Sequence, residues 1–308
     1  MRYDLLVIGA GTAGLSAAIY GVRAGLKTIC IEDAVHGGQI VNTPEVVNYP
    51  GIPVITGIEF ANQLYQQATS LGAQVFYEQI DGLDFGVFPK RVHTTRCEYQ
   101  ADAVIIANGA RHRKLGCAGE DAFEGKGVSY CAACDGNFFK SQVVCVVGGG
   151  NTALEDALYL SRICREVHLI HRRDTFRASA AVVEQVRQTQ NILLHLSCTV
   201  SEILGESTVN AIRIADAVGD AGEETISVSG VFIAVGLQPN NTIFDRWVDL
   251  DSGGYIVAGE DCKTKTEGLF AAGDTRTKQV RQLVTAAADG AIAATGASQY
   301  LYSKNSKK

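Results

Sequence analysis

The sequence predicts an α/β protein with two Rossmann-like (three-layer ββα) dinucleotide-binding domains, because one pattern of strand, glycine-rich loop and helix occurs twice. In the first copy, the apolar segment Tyr3–Ile8 runs into GAGTAG at 9–14, and a helical pattern follows. In the second copy, Val143–Val147 runs into GGGNTA at 148–153. Each helical pattern is followed by a further apolar segment, at 28–32 and at 167–171. Two copies of the pattern indicate dinucleotide binding far more specifically than one copy, because single GxGxxG matches are common.

Each glycine-rich loop has the physical features of a pyrophosphate site. The first glycine permits a tight turn, the second lets the backbone approach the pyrophosphate, and the third small residue lets the helix pack close to the strand. The helix N-terminus then presents free N–H groups and a partial positive charge to the phosphates. The alternative, a tight turn without a ligand, is less favoured in this repeated context. The candidate contacts are Gly9, Gly11, Thr12, Ala13 and Gly14 in the first loop and Gly148, Gly150, Asn151 and Thr152 in the second.

The residues that end the second strand of each copy predict which nucleotide binds. Glu32 occupies this position in the first copy, where a carboxylate can accept hydrogen bonds from ribose hydroxyls. His171 occupies it in the second copy, and Arg172, Arg173 and Arg177 follow. Guanidinium groups bind a 2′-phosphate that a carboxylate would repel. The first site therefore suits FAD and the second suits NADP, although a solvated basic face is the alternative explanation for the arginines.

Further segments fit a flavin site. Gly38 and Gln39 follow the second strand, where they could cross the flavin ring with backbone and side-chain hydrogen bonds. A later apolar strand ends in Gly273 and Asp274, and this carboxylate could accept hydrogen bonds from ribityl hydroxyls. The segment 281–286 opens a helix whose positive end could face the flavin. With Asn48 and Gly109, the candidate flavin contacts outside the first loop are Gly38, Gln39, Gly273, Asp274, Arg281 and Gln282.

The motif CAACDG at 131–136 predicts redox chemistry. A CxxC spacing brings two sulfurs within disulfide reach, and a helix N-terminus lowers the pKa of one thiol. A zinc site is the alternative, but it needs four ligands, and the sequence has neither a second CxxC nor a histidine pair with finger spacing. A redox pair, Cys131 and Cys134, is therefore favoured and no metal is expected. Asp135 is predicted to be a general acid, or else a turn or N-cap carboxylate.

Composition limits the remaining possibilities. The net charge of −6 and the pI near 5.6 give no indication of a nucleic-acid-binding surface. The uncharged segment 5–22 is better explained as a strand, glycine loop and helix than as a signal peptide or membrane span. We therefore expect a cytoplasmic protein, in which structural disulfides are absent. Seven further cysteines are interpreted as small buried or incidental residues: Cys30, Cys97, Cys117, Cys145, Cys164, Cys198 and Cys262.

Over nearly its whole length, the chain resembles the low-molecular-weight thioredoxin reductases. The segments that carry the resemblance are GAGTAG (9–14), GGQI (37–40), CAACDG (131–136), GGGNTALEDALYLS (148–161), HRRDTFRA (171–178), AAGD (271–274) and RQ (281–282). Their order and spacing also agree with the family. The resemblance implies a homodimer that binds FAD tightly, takes electrons from NADPH and reduces the small dithiol protein thioredoxin.

The resemblance also implies roles for the thiol motif and a domain order. Cys134 resembles the thiol nearest the flavin, Cys131 the thiol that attacks the partner disulfide, and Asp135 the catalytic acid. The NADPH-binding domain, which carries the CxxC, is expected to be inserted into the FAD-binding domain. The expected ranges are 1–112 and 242–308 for the FAD-binding domain and 113–241 for the NADPH-binding domain.

Two departures from the family pattern remove no chemically required group: Asn108 and Ala133 both stand where Thr is commoner. The arginines after His171 argue against the branches of the family that use ferredoxin or oxygen. One alternative is an NADPH-dependent reductase of another small disulfide protein, glutaredoxin-like or peroxidase-linked. The other is a redox-sensing or binding flavoprotein without turnover, which the CxxC-Asp motif and both phosphate loops disfavour.

Overall fold

The computed structural model describes residues 1–43, 45–217 and 222–306. The chain forms two compact units, one of Met1–Arg111 with Gln238–Lys308 and one of His112–Leu237. Each unit contains a parallel sheet with a glycine-rich loop after a central strand, so the prediction of an α/β protein with two Rossmann-like units is confirmed. In the part of the chain that the structure describes, no helix is long and apolar enough to span a membrane.

The first unit is built on a seven-stranded sheet. Its strands are β1 (Arg2–Ile8), β2 (Thr28–Glu32), β3 (Gln74–Tyr77), β4 (Ile80–Asp84), β5 (Lys90–Thr94), β6 (Glu98–Ile106) and β17 (Leu269–Ala271). Strands β3, β2, β1 and β6 are parallel neighbours, and β17 is parallel to the carboxyl end of β6. Strand β5 is antiparallel to the amino half of β6, and β4 is antiparallel to β5. The long β6 therefore joins the parallel and the antiparallel strands of this one sheet.

Side chains on β1 are buried on both faces of this sheet. The helices of the unit are α1 (Thr12–Arg23), α2 (Gly57–Ser70) and α6 (Leu283–Asn305), with short 3-10 turns at Gly38–Asn42, Thr242–Phe244 and Gly273–Thr275. Leu5 and Val7 pack in the core that includes residues of α1 and α6, whereas Leu6 and Ile8 pack on the opposite face. Successive side chains of a strand point to opposite faces. The uninterrupted apolar run at 5–8 in β1 follows from this double burial.

The second unit combines a parallel sheet with a smaller antiparallel one. The parallel strands are β8 (Val128–Ser129), β9 (Val143–Val147), β10 (Glu166–His171), β11 (Ile192–Leu196) and β15 (Gly230–Ile233), in the order β11-β10-β9-β15-β8. The antiparallel strands are β12 (Cys198–Gly205), β13 (Val209–Asp216) and β14 (Glu224–Ser227). The helices are α3 (Ala132–Asp135), α4 (Asn151–Ser161) and α5 (Ala180–Gln188), with a 3-10 turn at Gly136–Phe139.

The chain passes between the units at two short strands that pair with each other, β7 (Arg111–His112) and β16 (Leu237–Gln238). The second crossing precedes the boundary expected at 241–242. Asn241 is buried, and its Nδ2 donates hydrogen bonds to the carbonyls of Gly254 and Thr275 at 3.0 Å each. These bonds hold Asn241 in the first unit.

Candidate active site

The thiol motif forms a single helical turn. Cys131 caps helix α3, and the N–H groups of Cys134 and Asp135 donate to its carbonyl at 3.2 and 3.1 Å. This turn places the Cα atoms of Cys131 and Cys134 5.3 Å apart, within the normal range for a disulfide, and the two sulfurs are bonded to each other. The remaining seven cysteines are free, and four of them are buried. Within the described residues, Cys131 and Cys134 are therefore the two cysteines joined in a disulfide, as the CxxC spacing predicts.

Asp135 lies against this disulfide turn with one oxygen bonded and one unbonded. Its Oδ2 accepts a hydrogen bond from the Ser129 hydroxyl at 2.6 Å, and its Oδ1 is buried with no partner in the described part of the chain. Burial raises the pKa of Asp135, and the bond from Ser129 opposes this rise. Its side chain makes no capping bond to the turn that follows. The carboxyl is thus placed to hold or release a proton, although Asp135 also occupies the N-cap position of the 3-10 turn at Gly136–Phe139.

The first glycine-rich loop is shaped for close approach of a ligand to its backbone. A Cβ on Gly9, whose φ is +101°, would lie 2.5 Å from the carbonyl of Ala107, and one on Gly14 would lie 1.9 Å from that of Gly9. A Cβ on Gly11 would meet nothing closer than 3.8 Å, and no side chain caps the helix that starts after it. Thr12 and Ala13 are buried in the first turn of this helix. The space beside Gly11 is therefore open, and the N–H groups at the start of α1 have no capping side chain among the described residues, as a phosphate site requires.

Glu32 is brought directly to this loop. Its Oε2 accepts from the N–H of Ala10 at 2.7 Å, and its Oε1 accepts from the N–H of Ala34 at 3.2 Å. Burial raises the pKa of Glu32, and these backbone bonds act against the rise. Each carboxylate oxygen retains a further lone pair. Glu32 can therefore hold the loop and accept a ligand hydroxyl together.

Two polar atoms at and after the Gly273–Asp274 turn are unsatisfied. Asp274 Oδ1 and Arg281 Nε are both buried without a hydrogen-bond partner among the residues that the structure describes. Burial raises the pKa of Asp274, and the charges of Lys278 and Arg281 oppose the rise. The Arg281 guanidinium lies over the Tyr255 ring at 4.2 Å. Buried polar atoms almost always have partners, so these two fit a bound molecule that offers hydroxyl and anionic groups.

Asp289 of helix α6 supports this turn and was not predicted from the sequence. Its Oδ2 accepts from the N–H of Gly273 at 2.9 Å, from Arg276 Nε at 2.8 Å and from Lys278 Nζ at 2.9 Å, and its Oδ1 accepts from Arg276 Nη2 at 2.8 Å. Burial tends to raise the pKa of Asp289, but the bonds and charges of Arg276 and Lys278 outweigh it and lower the pKa. A single acidic residue among the small and apolar residues of α6 was the only indication in the sequence.

The other predicted flavin contacts also lie in the first unit. Asn48 Nδ2 donates to Gln282 Oε1 at 3.2 Å, so these two predicted residues meet, and Gln282 caps helix α6. Gln39 Nε2 donates to the carbonyl of Ala110. Space is open around the Cα of Gly109, whose φ is +68°, and Gly38 approaches Gly11. Asn108, the departure from the family pattern, donates to Asn240 O at 3.0 Å and to Asn241 Oδ1 at 3.2 Å.

The second glycine-rich loop repeats the open geometry of the first. A Cβ on Gly148 would lie 2.4 Å from the carbonyl of Ala234, whereas one on Gly150 would meet nothing within 4 Å. The His171 ring is buried against Gly149, where a Cβ would lie 2.1 Å from it. Asn151 Oδ1 accepts from the N–H of Ser179 at 2.8 Å, while Thr152 is exposed. The loop is therefore held by contacts at Gly148, Gly149 and Asn151, and space is open beside Gly150.

The predicted phosphate-binding residues differ in their surroundings. His171 is the buried one: its Nε2 lies 3.0 Å from the carbonyl of Thr175, and burial lowers its pKa. Arg172 and Arg177 are exposed and Arg173 is half-buried. Within the described ranges, no carboxylate forms an ion pair with these three arginines. Their guanidinium groups are therefore available to an anion, and His171 shapes the loop beside them.

Two dinucleotide-type loops and a CxxC disulfide followed by a half-buried acid define a nucleotide-dependent disulfide oxidoreductase. The chain belongs to the pyridine nucleotide-disulphide oxidoreductase family, whose model matches residues 3–290. It is 43% identical over 305 residues to the thioredoxin reductase of Peptoclostridium acidaminophilum, covering 97% of each chain. It is 44% identical over 304 residues to that of Listeria innocua, covering 97% of this chain and 94% of the relative.

A solved structure agrees with these sequence relatives. The crystal structure of thioredoxin reductase from Streptococcus pyogenes superposes with a TM-score of 0.92 at 38% identity, covering 98% of this chain and 99% of that one. The resemblance identified from the sequence motifs and the prediction of an oxidoreductase are therefore confirmed.

Proposed function

We propose that the protein is an NADPH-dependent thioredoxin-disulfide reductase that works with FAD. The observation that carries this proposal is the Cys131–Cys134 disulfide, closed across one helical turn and followed by the half-buried Asp135. The relatives named thioredoxin reductase support the same activity, because they match nearly the whole chain. Thioredoxin, a small protein with its own dithiol, is then the acceptor.

The first unit has the donors and acceptors that FAD requires. The open N–H groups after Gly11 would face the pyrophosphate, Glu32 a ribose, and Asp274 Oδ1 the ribityl hydroxyls. When bound, FAD supplies an acceptor for the hydride of NADPH and a two-electron donor for the disulfide. The further residues proposed to hold it are Gly9, Thr12, Ala13, Gly14, Gly38, Gln39, Asn48, Gly109, Gly273, Arg281 and Gln282.

The second unit is proposed to bind NADPH. The pyrophosphate would lie at the loop of Gly148 and Gly150, whose open side leads to the start of helix α4. Arg172, Arg173 and Arg177 would hold the 2′-phosphate, because guanidinium groups form paired hydrogen bonds with phosphate oxygens. Asn151, Thr152, Arg172, Arg173 and Arg177 complete the proposed set with His171. With the CxxC in the same unit, this assigns the unit His112–Leu237 to NADPH and the unit of Met1–Arg111 with Gln238–Lys308 to FAD.

The dithiol then reduces the partner in two exchanges. The Cys131 thiol passes its proton to the Asp135 carboxylate, its thiolate attacks one sulfur of oxidised thioredoxin, the partner's S–S bond breaks, and the expelled thiolate takes that proton from the Asp135 carboxyl. The Cys134 thiol then passes its proton to Asp135 in the same way, and its thiolate attacks the Cys131 sulfur, which restores the enzyme disulfide. The second partner thiolate is released and takes this proton from Asp135, so two electrons and the two protons of the enzyme dithiol pass to thioredoxin.

Nucleotide choice is expected to depend on the arginines. In the double variant Arg172→Gln with Arg173→Gln, the Michaelis constant for NADPH should rise by about ten- to a hundredfold, because charge-assisted hydrogen bonds to the 2′-phosphate are lost. The constant for NADH, which lacks this phosphate, should change little. The matched control is Arg165→Gln, since Arg165 is exposed and precedes β10 whereas Arg172 follows it. Equal use of NADH and NADPH by the unchanged protein would contradict the assignment.

A homodimer is proposed as the assembly. Helix α6 begins beside the segment 46–60, because Leu283 packs with Val46 and Ile55. Around this junction the first unit exposes the apolar side chains of Val47, Val54, Ile58, Val280 and Val284. A second copy would cover them, as the resemblance implies.

Light scattering of the purified protein should give twice the chain mass of 32.8 kDa, and a monomer at micromolar concentration would contradict this.

The cytoplasm is the proposed compartment. Seven thiols of the chain are free, and the cytoplasmic thiol pool keeps such groups reduced. The proposed reaction also consumes NADPH, so it requires a compartment that contains this nucleotide.

An acceptor panel tests the proposed activity. The protein is supplied with NADPH and with oxidised thioredoxins or glutaredoxins, and the loss of NADPH absorbance is followed. We expect turnover with at least one thioredoxin and a much lower kcat/KM with every glutaredoxin. The opposite preference would favour reduction of another small disulfide protein, and no turnover with any acceptor would remove the proposal.

A further inference from the structure

Ser129 lies between the backbone of the dithiol turn and its acid. It is the last residue of β8, two positions before Cys131, and only 6% of it is exposed. Its hydroxyl oxygen accepts from the N–H of Cys131 at 3.0 Å and lies 2.6 Å from Asp135 Oδ2. The Cys131 carbonyl lies farther away, at 3.4 Å. Because a serine has one hydroxyl hydrogen, it donates to the nearer acceptor, the carboxylate.

The position of Ser129 is fixed from both sides. Strand β8 is hydrogen-bonded in the parallel sheet, where Ser129 is in register with Phe232 of β15. The next residue, Tyr130, is anchored by its hydroxyl, which donates to the buried Glu120 at 2.8 Å. Side chains held by such neighbours transmit a defined geometry to the groups they bond.

We propose that Ser129 is a positioning residue of the dithiol reaction, which holds the backbone of the nucleophile Cys131 and the carboxyl of Asp135 in one arrangement through a single hydroxyl. This inference rests on the proposed function, because it takes Asp135 as the acid for the expelled thiolate. Ser129 itself does not touch the partner. Its contribution is that the proton donor and the attacking thiol move as one unit.

The hydroxyl also affects when Asp135 carries its proton. Hydrogen bonding to the ionised carboxylate favours that form and lowers the pKa of Asp135, while burial, the larger influence, raises it. Helix α4, which packs against α3, carries Glu155 and Asp156, and neither contributes to this shift. In the reduced enzyme, the thiols of Cys131 and Cys134 are the further titratable groups beside it. Removal of the hydroxyl therefore raises the pKa of Asp135.

The test compares Ser129→Ala with Ser129→Thr, which keeps a hydroxyl. A general acid works below its pKa, so the loss of activity on the alkaline side of the kcat/KM profile for thioredoxin should move to higher pH in Ser129→Ala. At its maximum, kcat/KM should fall about tenfold, because general acids contribute 10²–10⁴-fold only when correctly placed. Ser129→Thr should restore both the profile and the rate. The Michaelis constant for NADPH and the rate of flavin reduction by NADPH should stay unchanged in both.

Three results would overturn the inference, and they have different meanings. If Ser129→Ala lowers the melting temperature but leaves the pH profile in place, the hydroxyl serves only the fold. Ser129→Thr keeps the hydroxyl and adds only a methyl group. If it does not restore the profile, a hydroxyl at this position is not what sets the rate, and the packing around residue 129 decides it. If Asp135→Asn keeps full turnover with thioredoxin, Asp135 is not the acid, and that part of the proposed mechanism fails together with the inference.

Discussion

Replacement of Cys131 or Cys134 by Ser is expected to abolish the reduction of thioredoxin while NADPH still reduces the bound flavin. A serine hydroxyl cannot form the disulfide that stores the two electrons, and at neutral pH it is a far weaker nucleophile than a thiolate. Turnover should fall by about a thousandfold or more, since the nucleophile of a covalent mechanism has no substitute. The measurements are NADPH oxidation with oxidised thioredoxin and the anaerobic absorbance of the flavin.

A free cysteine of the same unit provides the control. Cys198 is half-buried, and its sulfur lies 3.2 Å from the carbonyl of Leu196, a bond that a serine hydroxyl can also make. Cys198→Ser should therefore keep the normal rate. If Cys131→Ser or Cys134→Ser also kept it, the electrons would leave the protein by another route.

Loss of the Asp289 carboxylate is expected to give the largest change in stability. In Asp289→Leu, the charges of Arg276 and Lys278 would remain in a buried site without their shared partner, since the side chains of all three residues are less than 10% exposed. Removal of one partner of a buried ion pair costs about 3–5 kcal/mol. The free energy of unfolding from urea denaturation should fall by about that amount. The variant should also release FAD more readily, because Gly273 loses the acceptor of its N–H.

The control replaces an exposed carboxylate of the same unit. Asp249 forms an ion pair with Lys265 at 2.8 Å, but the two side chains are 62% and 44% exposed. Asp249→Asn should change the free energy of unfolding by less than about 1 kcal/mol, because solvent screens such pairs. Equal losses in the two variants would mean that the Asp289 network contributes no more than an ordinary surface pair.

The fold was predictable where it depends on short-range patterns. Strands β1 and β9, the loops after them and helices α1 and α4 occur where the repeat placed them. The antiparallel strands β12–β14 were not foreseen, because they alternate irregularly and their pairing includes two register shifts. The chain also returns to the first unit before residue 241, since Asn241 is held by bonds to residues far along the sequence.

The candidate site was likewise predictable from the sequence only where it depends on short-range patterns. The disulfide turn and the open loops depend on glycine and cysteine spacing, which a sequence displays directly. The supports of the site depend on distant contacts: Asp289 holds Gly273 from sixteen residues away, and a strand residue, Ser129, holds Asp135. Polar residues of this kind have no spacing rule, because their partners are decided only when the chain has folded. The residue roles in cofactor binding stay predictions.

An anaerobic absorbance titration of the purified protein follows electrons from NADPH through FAD and the dithiol to thioredoxin. We expect a yellow protein whose flavin absorbance bleaches when NADPH is added and returns when oxidised thioredoxin follows. The Cys134→Ser variant should bleach with NADPH but should not recolour with thioredoxin. This route of electron transfer is wrong if the purified protein is colourless and cannot be reconstituted with FAD, or if thioredoxin reoxidises the flavin without the dithiol.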